Sequence, residues 1–176
     1  MQLQEDFSPD PVNSIENRAL ESAIRAVLYS NFEKNHKNFI RTLLNSTLIL
    51  LTENPIRNPE GKILKLDEEG YGYYSKGTNI PLVQLNDETG RLILPVFSAS
   101  KYVHAISGLS AFHGLAVPAL QALEIFKAAE SQVLSLNPGS QEHLDIDRYS
   151  LLSLISELKE KGVLSEESGV VLNSHS

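Results

Sequence analysis

The chain has 176 residues, with 15 Lys and Arg residues against 22 Asp and Glu residues, and it contains no cysteine. Without cysteine, no disulfide, thiolate-ligated zinc, iron–sulfur cluster or thiol nucleophile can form. The net charge of −7 opposes binding to nucleic acid, because each phosphate contact requires a cation. One domain is expected, since domains contain roughly 150 residues.

Targeting and membrane-spanning segments are not recognisable in the sequence. The N-terminus is acidic and lacks the basic and apolar regions of a signal peptide. The longest apolar runs, such as Leu92–Phe97, are much shorter than the roughly 18 residues of a membrane span. We therefore expect a cytoplasmic protein that binds neither a membrane nor nucleic acid.

The sequence pattern divides the chain into three parts. Residues 1–13 are polar and contain two prolines, which is typical of a flexible lead-in. Residues 14–162 carry the periodic apolar patterns of a single folded domain. Residues 163–176 are rich in Ser and Glu, which predicts a disordered tail.

Helices are predicted where apolar residues recur every three or four positions. The predicted helices lie at 15–31, 36–45, 101–107, 118–130 and 148–162. Ser98 or Ser100 is the expected N-cap of the third helix, and Pro118 begins the fourth. Asp147 is the expected N-cap of the last helix, which ends at Gly162.

Short apolar or alternating runs between the helices predict strands. The predicted strands are Thr47–Thr52, Lys62–Leu66, Ile80–Leu85, Arg91–Phe97, Val133–Leu136 and His143–Ile146. Several are joined by short connections, including a hairpin loop at residues 86–90 and a type II turn centred on Pro138 and Gly139. The predicted class is therefore α+β, with a mixed, largely antiparallel sheet of about five or six strands flanked by helices.

Established catalytic motifs are absent from the sequence. It contains no GxGxxG, no P-loop and no HExxH. Gly108–Phe112 approaches the GxSxG motif of hydrolases, but Phe112 stands where the second glycine is required. An enzymatic alternative remains, in which Ser98 or Ser110 pairs with His104 or His113 in a small-molecule hydrolase or ligand-binding enzyme.

His143, Asp145 and Asp147 are candidate ligands of a metal ion. On a strand these alternate residues would share one face, as the ligands of a divalent cation do. Asp147 has a competing role as a helix N-cap, and polar alternation is common on half-buried strands. We therefore predict no metal and no cofactor.

Three separated segments together resemble the N-terminal domain of the bacterial SseB family, named for enhanced serine sensitivity. They are Asn17–Ile24, Leu94–Ser100 and Leu136–Ser140, and the resemblance extends over about Asn17 to Ile146. It implies a cytoplasmic bacterial α+β domain with no established enzymatic activity. The family usually has Phe-Thr-Ser where this chain has Phe97-Ser98-Ala99, and its longer members carry a second domain.

The function predicted from these observations is a non-enzymatic binding or protein-interaction module. If the two loop motifs lie at one end of the sheet, they form a common surface for another protein. The predicted binding residues are Phe97, Ser98, Ser100, Asn137, Pro138, Gly139 and Ser140. Besides the hydrolase, a third alternative is an oligomeric structural protein such as a homodimer.

Overall fold

The structure is a computed structural model, and it describes residues 15–30, 32–53, 78–162 and 170–172. The helices are α1 (Arg18–Tyr29), α2 (Glu33–Leu44), α3 (Ser100–His104), α4 (Ala119–Ala128) and α5 (Arg148–Glu160), with a 3-10 turn at Leu109–Ala111. The strands are β1 (Thr47–Thr52), β2 (Thr78–Ile80), β3 (Leu85–Asn86), β4 (Leu92–Phe97), β5 (His113–Pro118), β6 (Val133–Leu136), β7 (Leu144–Asp147) and β8 (Val170–Leu172). None of the helices in these ranges is long and apolar enough to cross a membrane.

The main sheet has six strands, and the predicted α+β class is confirmed. Its order is β5-β1-β4-β6-β7, with β3 also paired to β4. Four of its pairings are antiparallel, and the pairing of β4 with β6 is parallel. The sheet is therefore mixed and largely antiparallel, as predicted.

Strand β4 changes its neighbour along one edge. It pairs with β3 at Leu92 and Ile93 and with β1 at Val96 and Phe97, and the change falls at the intervening Leu94 and Pro95. Proline has no backbone N–H to donate to a ladder. The other edge pairs without a break with β6 from Ile93 to Val96.

The prediction of a strand at Ile80–Leu85 is wrong. The chain leaves β2 at Ile80 and begins β3 only at Leu85. Between them the backbone bonds to the end of β1, where Val83 donates its N–H to the Leu51 carbonyl and Glu53 donates to that of Pro81. Residues 81–83 therefore lie beside the end of β1. They do not form a continuous strand, because Pro81 lacks the backbone N–H that such a strand would donate.

Strand β5 was not predicted. It pairs antiparallel with β1 along the whole of β1, from Thr47 opposite Pro118 to Thr52 opposite His113. Its Gly114 and Ala116 have low strand propensity, and only Leu115 and Val117 mark the pattern. Its place at the sheet edge tolerates Pro118, which immediately precedes α4.

Two of the three predicted chain divisions fall largely outside the described residues. The lead-in at 1–13 lies there, as does most of the tail at 163–176. The predicted strand at Lys62–Leu66 also lies outside the described residues. Within the segment 163–176, Val170–Leu172 form β8, which pairs parallel with β2. These three residues are β-branched or apolar, which are types that favour a strand.

The central strands β1, β4 and β6 are buried on both faces of the sheet. On one face, Leu48, Leu50 and other alternate strand residues pack against α1, α2, α4 and α5 in the larger core. On the other face, Ile49, Leu51 and Phe97 pack with residues of α3 and the 3-10 turn. The uninterrupted apolar run of β1 is typical of a strand that is covered on both sides.

Arg148 holds the end of α4 beside the start of α5. Its guanidinium donates to four backbone carbonyls, those of Phe126, Lys127, Ala129 and Ser131, at 2.8–3.3 Å. These carbonyls end or follow the helix, where backbone acceptors commonly need partners from outside it, and that of Phe126 also accepts the N–H of Ala129. Since β6 begins two residues after Ser131, this contact helps to position β6 in the sheet.

Asp147 is the N-cap of α5, as predicted. Its carboxylate accepts the backbone N–H of Ser150 at 3.0 Å and the Ser150 hydroxyl at 2.8 Å. Both bonds favour the ionised carboxylate, so they hold the pKa of Asp147 below its ordinary value. The cap therefore contributes most when this carboxylate is charged.

Replacing Asp147 with alanine is expected to lower the midpoint of thermal unfolding near neutral pH. Because the folded pKa is depressed, this stabilisation is present above the unfolded pKa and is lost as the pH falls through the lower, folded pKa. The difference between wild type and Asp147→Ala therefore shrinks below about pH 4. Calorimetry over a pH series measures this difference in unfolding midpoint. Asp147→Asn is the control, because asparagine can cap the helix but does not titrate. A difference that grows on acidification would contradict this role.

Candidate functional site

The two predicted loop motifs meet at one end of the sheet. Strands β4 and β6 are parallel neighbours, so the residues that follow Phe97 and Leu136 leave the sheet side by side. The backbone N–H of Asn137 donates to the Val96 carbonyl at 2.8 Å, which continues the ladder by one residue. The loops that follow β4 and β6 therefore lie at the same end of the sheet.

The side chain of Asn137 joins the two loops. Its Oδ1 accepts the backbone N–H of Ser98 at 2.8 Å, and its Nδ2 donates to the Ser98 hydroxyl at 2.9 Å and to the Glu142 carbonyl at 3.3 Å. Both Asn137 and Ser98 are fully buried. Asn137 has a φ of 48°, in the left-handed region that asparagine tolerates better than most residues.

Asn17 joins the start of α1 to the same point. Its Nδ2 donates to the Ser98 carbonyl at 2.9 Å and to the Thr47 carbonyl at 2.6 Å. Asn17 is also the residue before the helix, and its side chain makes no N-cap hydrogen bond. The helix therefore begins at Arg18 rather than directly after Ser14, because Asn17 is engaged with the sheet.

The predicted binding residues differ greatly in exposure. Phe97, Ser98 and Asn137 are fully buried, whereas Gly139 is exposed and Ser100, Pro138 and Ser140 are partly buried. The turn is confirmed, since Ser140 donates its N–H to the Asn137 carbonyl and Gly139 has a φ of 79°. The three buried residues lie inside the end of the sheet, and the other four are at least partly exposed, although the Ser140 hydroxyl is itself buried.

The predicted N-cap of α3 is wrong. The helix begins at Ser100, its N-cap position is Ala99, and no side chain caps it. Ser98 is unavailable because its hydroxyl bonds with Asn137. Ser100 instead lines a cleft between α1 and α3.

This α1–α3 cleft has a volume of about 480 Å³. The polar residues that form it are Glu16 just before α1, Arg18, Glu21, Ser22 and Arg25 from α1, and Ser100 and Lys101 from α3. Its volume lies within the roughly 300–1,000 Å³ of typical ligand sites. Asn17 and Ser98 lie directly before its two walls, so the buried asparagine bonds fix the walls relative to each other.

Charged side chains link the walls of the cleft to the loop after β6. Lys101 lies 3.6 Å from Glu21, whose side chain is mostly buried, and 4.8 Å from the centre of the Tyr102 ring. The Glu142 carboxylate accepts from Arg25 at 3.0 Å and from the Tyr102 hydroxyl at 3.4 Å. Burial, reinforced by the charges of Glu21 and Glu142, raises the pKa of the Tyr102 hydroxyl well above its ordinary value. Tyr102 therefore remains a neutral hydrogen-bond donor at physiological pH.

Sequence reasoning did not identify Glu21, Arg25, Lys101 or Glu142. One signal was available for Glu21, which lies between Leu20 and Ile24 at the edge of the apolar stripe of α1. A carboxylate in that position is drawn towards the protein interior. No local pattern marks Glu142 as its neighbour, because the two residues come from distant segments of the chain.

Among the described side chains named for the enzymatic alternative, Ser98 contacts neither His104 nor His113, and the side chain of Ser110 lies outside the described part. His104 and His113 are exposed, and no hydrogen bond in the described ranges joins either to Ser98. A different pair is in contact, with Ser135 Oγ 3.0 Å from His143 Nε2. Asp145 approaches that same nitrogen at 2.7 Å. A carboxylate there requires Nε2 to carry its proton, so Nε2 cannot accept one from Ser135.

The considered metal ligands are also occupied otherwise. His143 contacts Asp145, while the Asp147 carboxylate caps α5. Across the described ranges, no three His, Asp or Glu side chains are arranged to hold a metal ion.

A comparison with protein-family models matches residues 20–151 to the SseB protein N-terminal domain. This range is most of the 176-residue chain, and it includes both Ser98 and Asn137. Searches of curated proteins and of solved structures each gave no match.

Replacing Asn137 with alanine leaves the buried Ser98 N–H and hydroxyl without their partner and places a methyl group at a positive φ. We expect the free energy of unfolding to fall by about 2–4 kcal/mol. Asn137→Gly loses the same amide but accepts this φ, so it should retain about 1 kcal/mol more stability than Asn137→Ala. Urea denaturation measures both. Two variants as stable as wild type would show that the amide bonds contribute nothing.

Proposed function

The chain belongs to the SseB N-terminal domain family, and we propose that it is a non-enzymatic binding module whose site is the α1–α3 cleft. Its partner is another protein, and its location is the bacterial cytoplasm. A net charge of −7 argues against nucleic acid as the partner. Because Phe97, Ser98 and Asn137 are buried, we assign the contact with the partner to the cleft and not to these three residues.

One observation carries this proposal. The three segments that resemble the family meet at Ser98, where asparagine side chains join them, and two of the three continue into the walls of the cleft. A turn alone does not require this arrangement, because Asn137 and Asn17 each reach a residue in another element. Rigidly held walls reduce the ordering cost of binding, which is the advantage of a preorganised site.

The charges of the cleft indicate the chemistry of its partner. Each of its three cations has a carboxylate nearby: Arg18 lies 3.5 Å from Glu16, Arg25 is 3.0 Å from Glu142, and Lys101 is 3.6 Å from Glu21. The lining is therefore nearly neutral but polar. Such a lining suits a short protein segment that carries both a cation and a carboxylate. The charges of that segment would replace the present partners in these ion pairs.

Replacing Ser22 with tryptophan should fill the cleft and abolish recovery of the partner in affinity purification. Ser22 is an exposed helix residue, so the change should leave the fold intact. Ser153→Trp is the matched control, since Ser153 is an exposed serine on α5 outside the cleft. Mass spectrometry of protein recovered from host cells compares both variants with wild type.

A photo-crosslinking residue at position 22 or 153 provides the second arm of the experiment. We expect position 22 to form one discrete adduct with a partner in living cells and position 153 to form none. Equal adducts from both positions, or unchanged recovery with Ser22→Trp, would overturn the assignment of the cleft as the binding site.

A further inference from the structure

A second surface, which shares no residue with the α1–α3 cleft, is a groove between α2, α4 and α5. We propose that this helical groove binds an acidic amphipathic helix of a partner protein. The groove has a volume of about 670 Å³, and its lining is mostly apolar. This inference does not rest on the function proposed for the cleft.

The floor of the helical groove consists of apolar side chains on three helices. Ile40 and Leu44 lie one turn apart on α2, and Leu154 and Leu158 lie one turn apart on α5. Leu120 of α4 lies between them in the same lining. All but Leu158 are only partly buried, although they pack against the main core. The floor therefore extends the core to a surface that a further apolar stripe would cover.

The rim of the groove is basic. Lys37, Arg41 and Lys161 line it together with one carboxylate, Glu157. This excess of cations contrasts with the net charge of −7 for the whole chain. A positive rim around an apolar floor is complementary to an apolar stripe flanked by carboxylates.

The rim cations are able to accept new partners. Lys37 pairs with Glu33 and Lys161 with Glu157, but both pairs are exposed and join residues one turn apart on the same helix. Such pairs contribute little to stability, so exchange with a partner's carboxylate costs little. Arg41 donates to the neutral amide oxygen of Asn38 at 3.0 Å.

The walls of the groove favour a helix as its occupant. All the residues that line it lie on helices or at their ends, so the groove presents no strand edge to an extended peptide. An extended peptide would leave its backbone groups without partners, whereas a helix satisfies its own. A helix with apolar residues at three- and four-residue spacing fits between the stripes of α2 and α5.

Fluorescence anisotropy with a synthetic peptide tests this proposal. The probe is a labelled helical peptide of about 18 residues with a leucine stripe flanked by glutamates. The control peptide carries lysine in place of each glutamate. We expect saturable binding of the acidic peptide that weakens with added salt, and at least about tenfold weaker binding of the basic one. Equal binding of the two peptides would overturn the proposal.

Substitutions in the full-length protein locate the binding. Leu154→Glu and Arg41→Glu should each weaken the binding of the acidic peptide by about tenfold or more. Lys34→Glu is the matched control, because Lys34 is exposed on α2 but does not line the groove, and it should change affinity by less than about twofold. Circular dichroism confirms folding, and Leu154→Ala is the milder variant if Leu154→Glu unfolds. Unchanged affinity in the folded groove variants would overturn the proposal.

Two further measurements distinguish other occupants. A dimer in light scattering that Leu154→Glu converts to a monomer would make a second copy of the chain the occupant and overturn the proposal. Reversing the charge of Glu5 and Asp6, or of Glu166 and Glu167, in the full chain tests its own acidic segments. Peptide binding that becomes about tenfold tighter would show that such a segment competes for the groove, which also contradicts the proposal.

Discussion

The buried peptide of Ser98 constrains the arrangement of this domain. Ser98 leaves β4 in the protein interior, where unpaired backbone groups are costly. Asn137 accepts its N–H and Asn17 donates to its carbonyl, so two side chains replace the ladder bonds that a longer strand would have made. The Ser98 hydroxyl is satisfied by the same Asn137 amide. Each polar group of this residue therefore depends on an asparagine from another segment.

This constraint connects the fold to the binding site proposed in the α1–α3 cleft. Asn17 places the start of α1 against β1 and the end of β4, while Asn137 holds the β6–β7 loop at the same position. The ion pairs and hydrogen bonds of Glu21, Arg25 and Glu142 then lie on the outside of that buried contact. Asn17, Ser98 and Asn137 act first as structural connections, and they hold the two walls of the cleft in place. The helical groove lies on α2, α4 and α5 and does not involve Ser98.

Much of the fold is predictable because it depends on local patterns. The run Thr47–Thr52 becomes β1, Asp147 caps α5, and Pro138 with Gly139 forms the expected turn. In these cases the residues that determine the structure are neighbours in the sequence. Strand β5 could not be predicted from its local sequence, because glycine and alanine have low strand propensity. Its long pairing with β1 determines its conformation instead.

The candidate site was predictable only in part for the same reason. The sequence identified Ser98 and Asn137, but the bonds of Ser98 span 39 residues to Asn137 and 81 residues to Asn17. Residue type alone does not distinguish an asparagine that completes a buried backbone from one that contacts a partner. That distinction depends on burial, which places Asn137 inside and Ser100 at the cleft.

Native-state hydrogen exchange at the amide of Ser98 tests the central claim most directly. If Asn137 holds this amide as part of the core, it should exchange only through global unfolding, with the same free energy of opening as amides within β4. Exchange as fast as that of an exposed loop amide would contradict the account, because the two loops would then separate without unfolding the sheet.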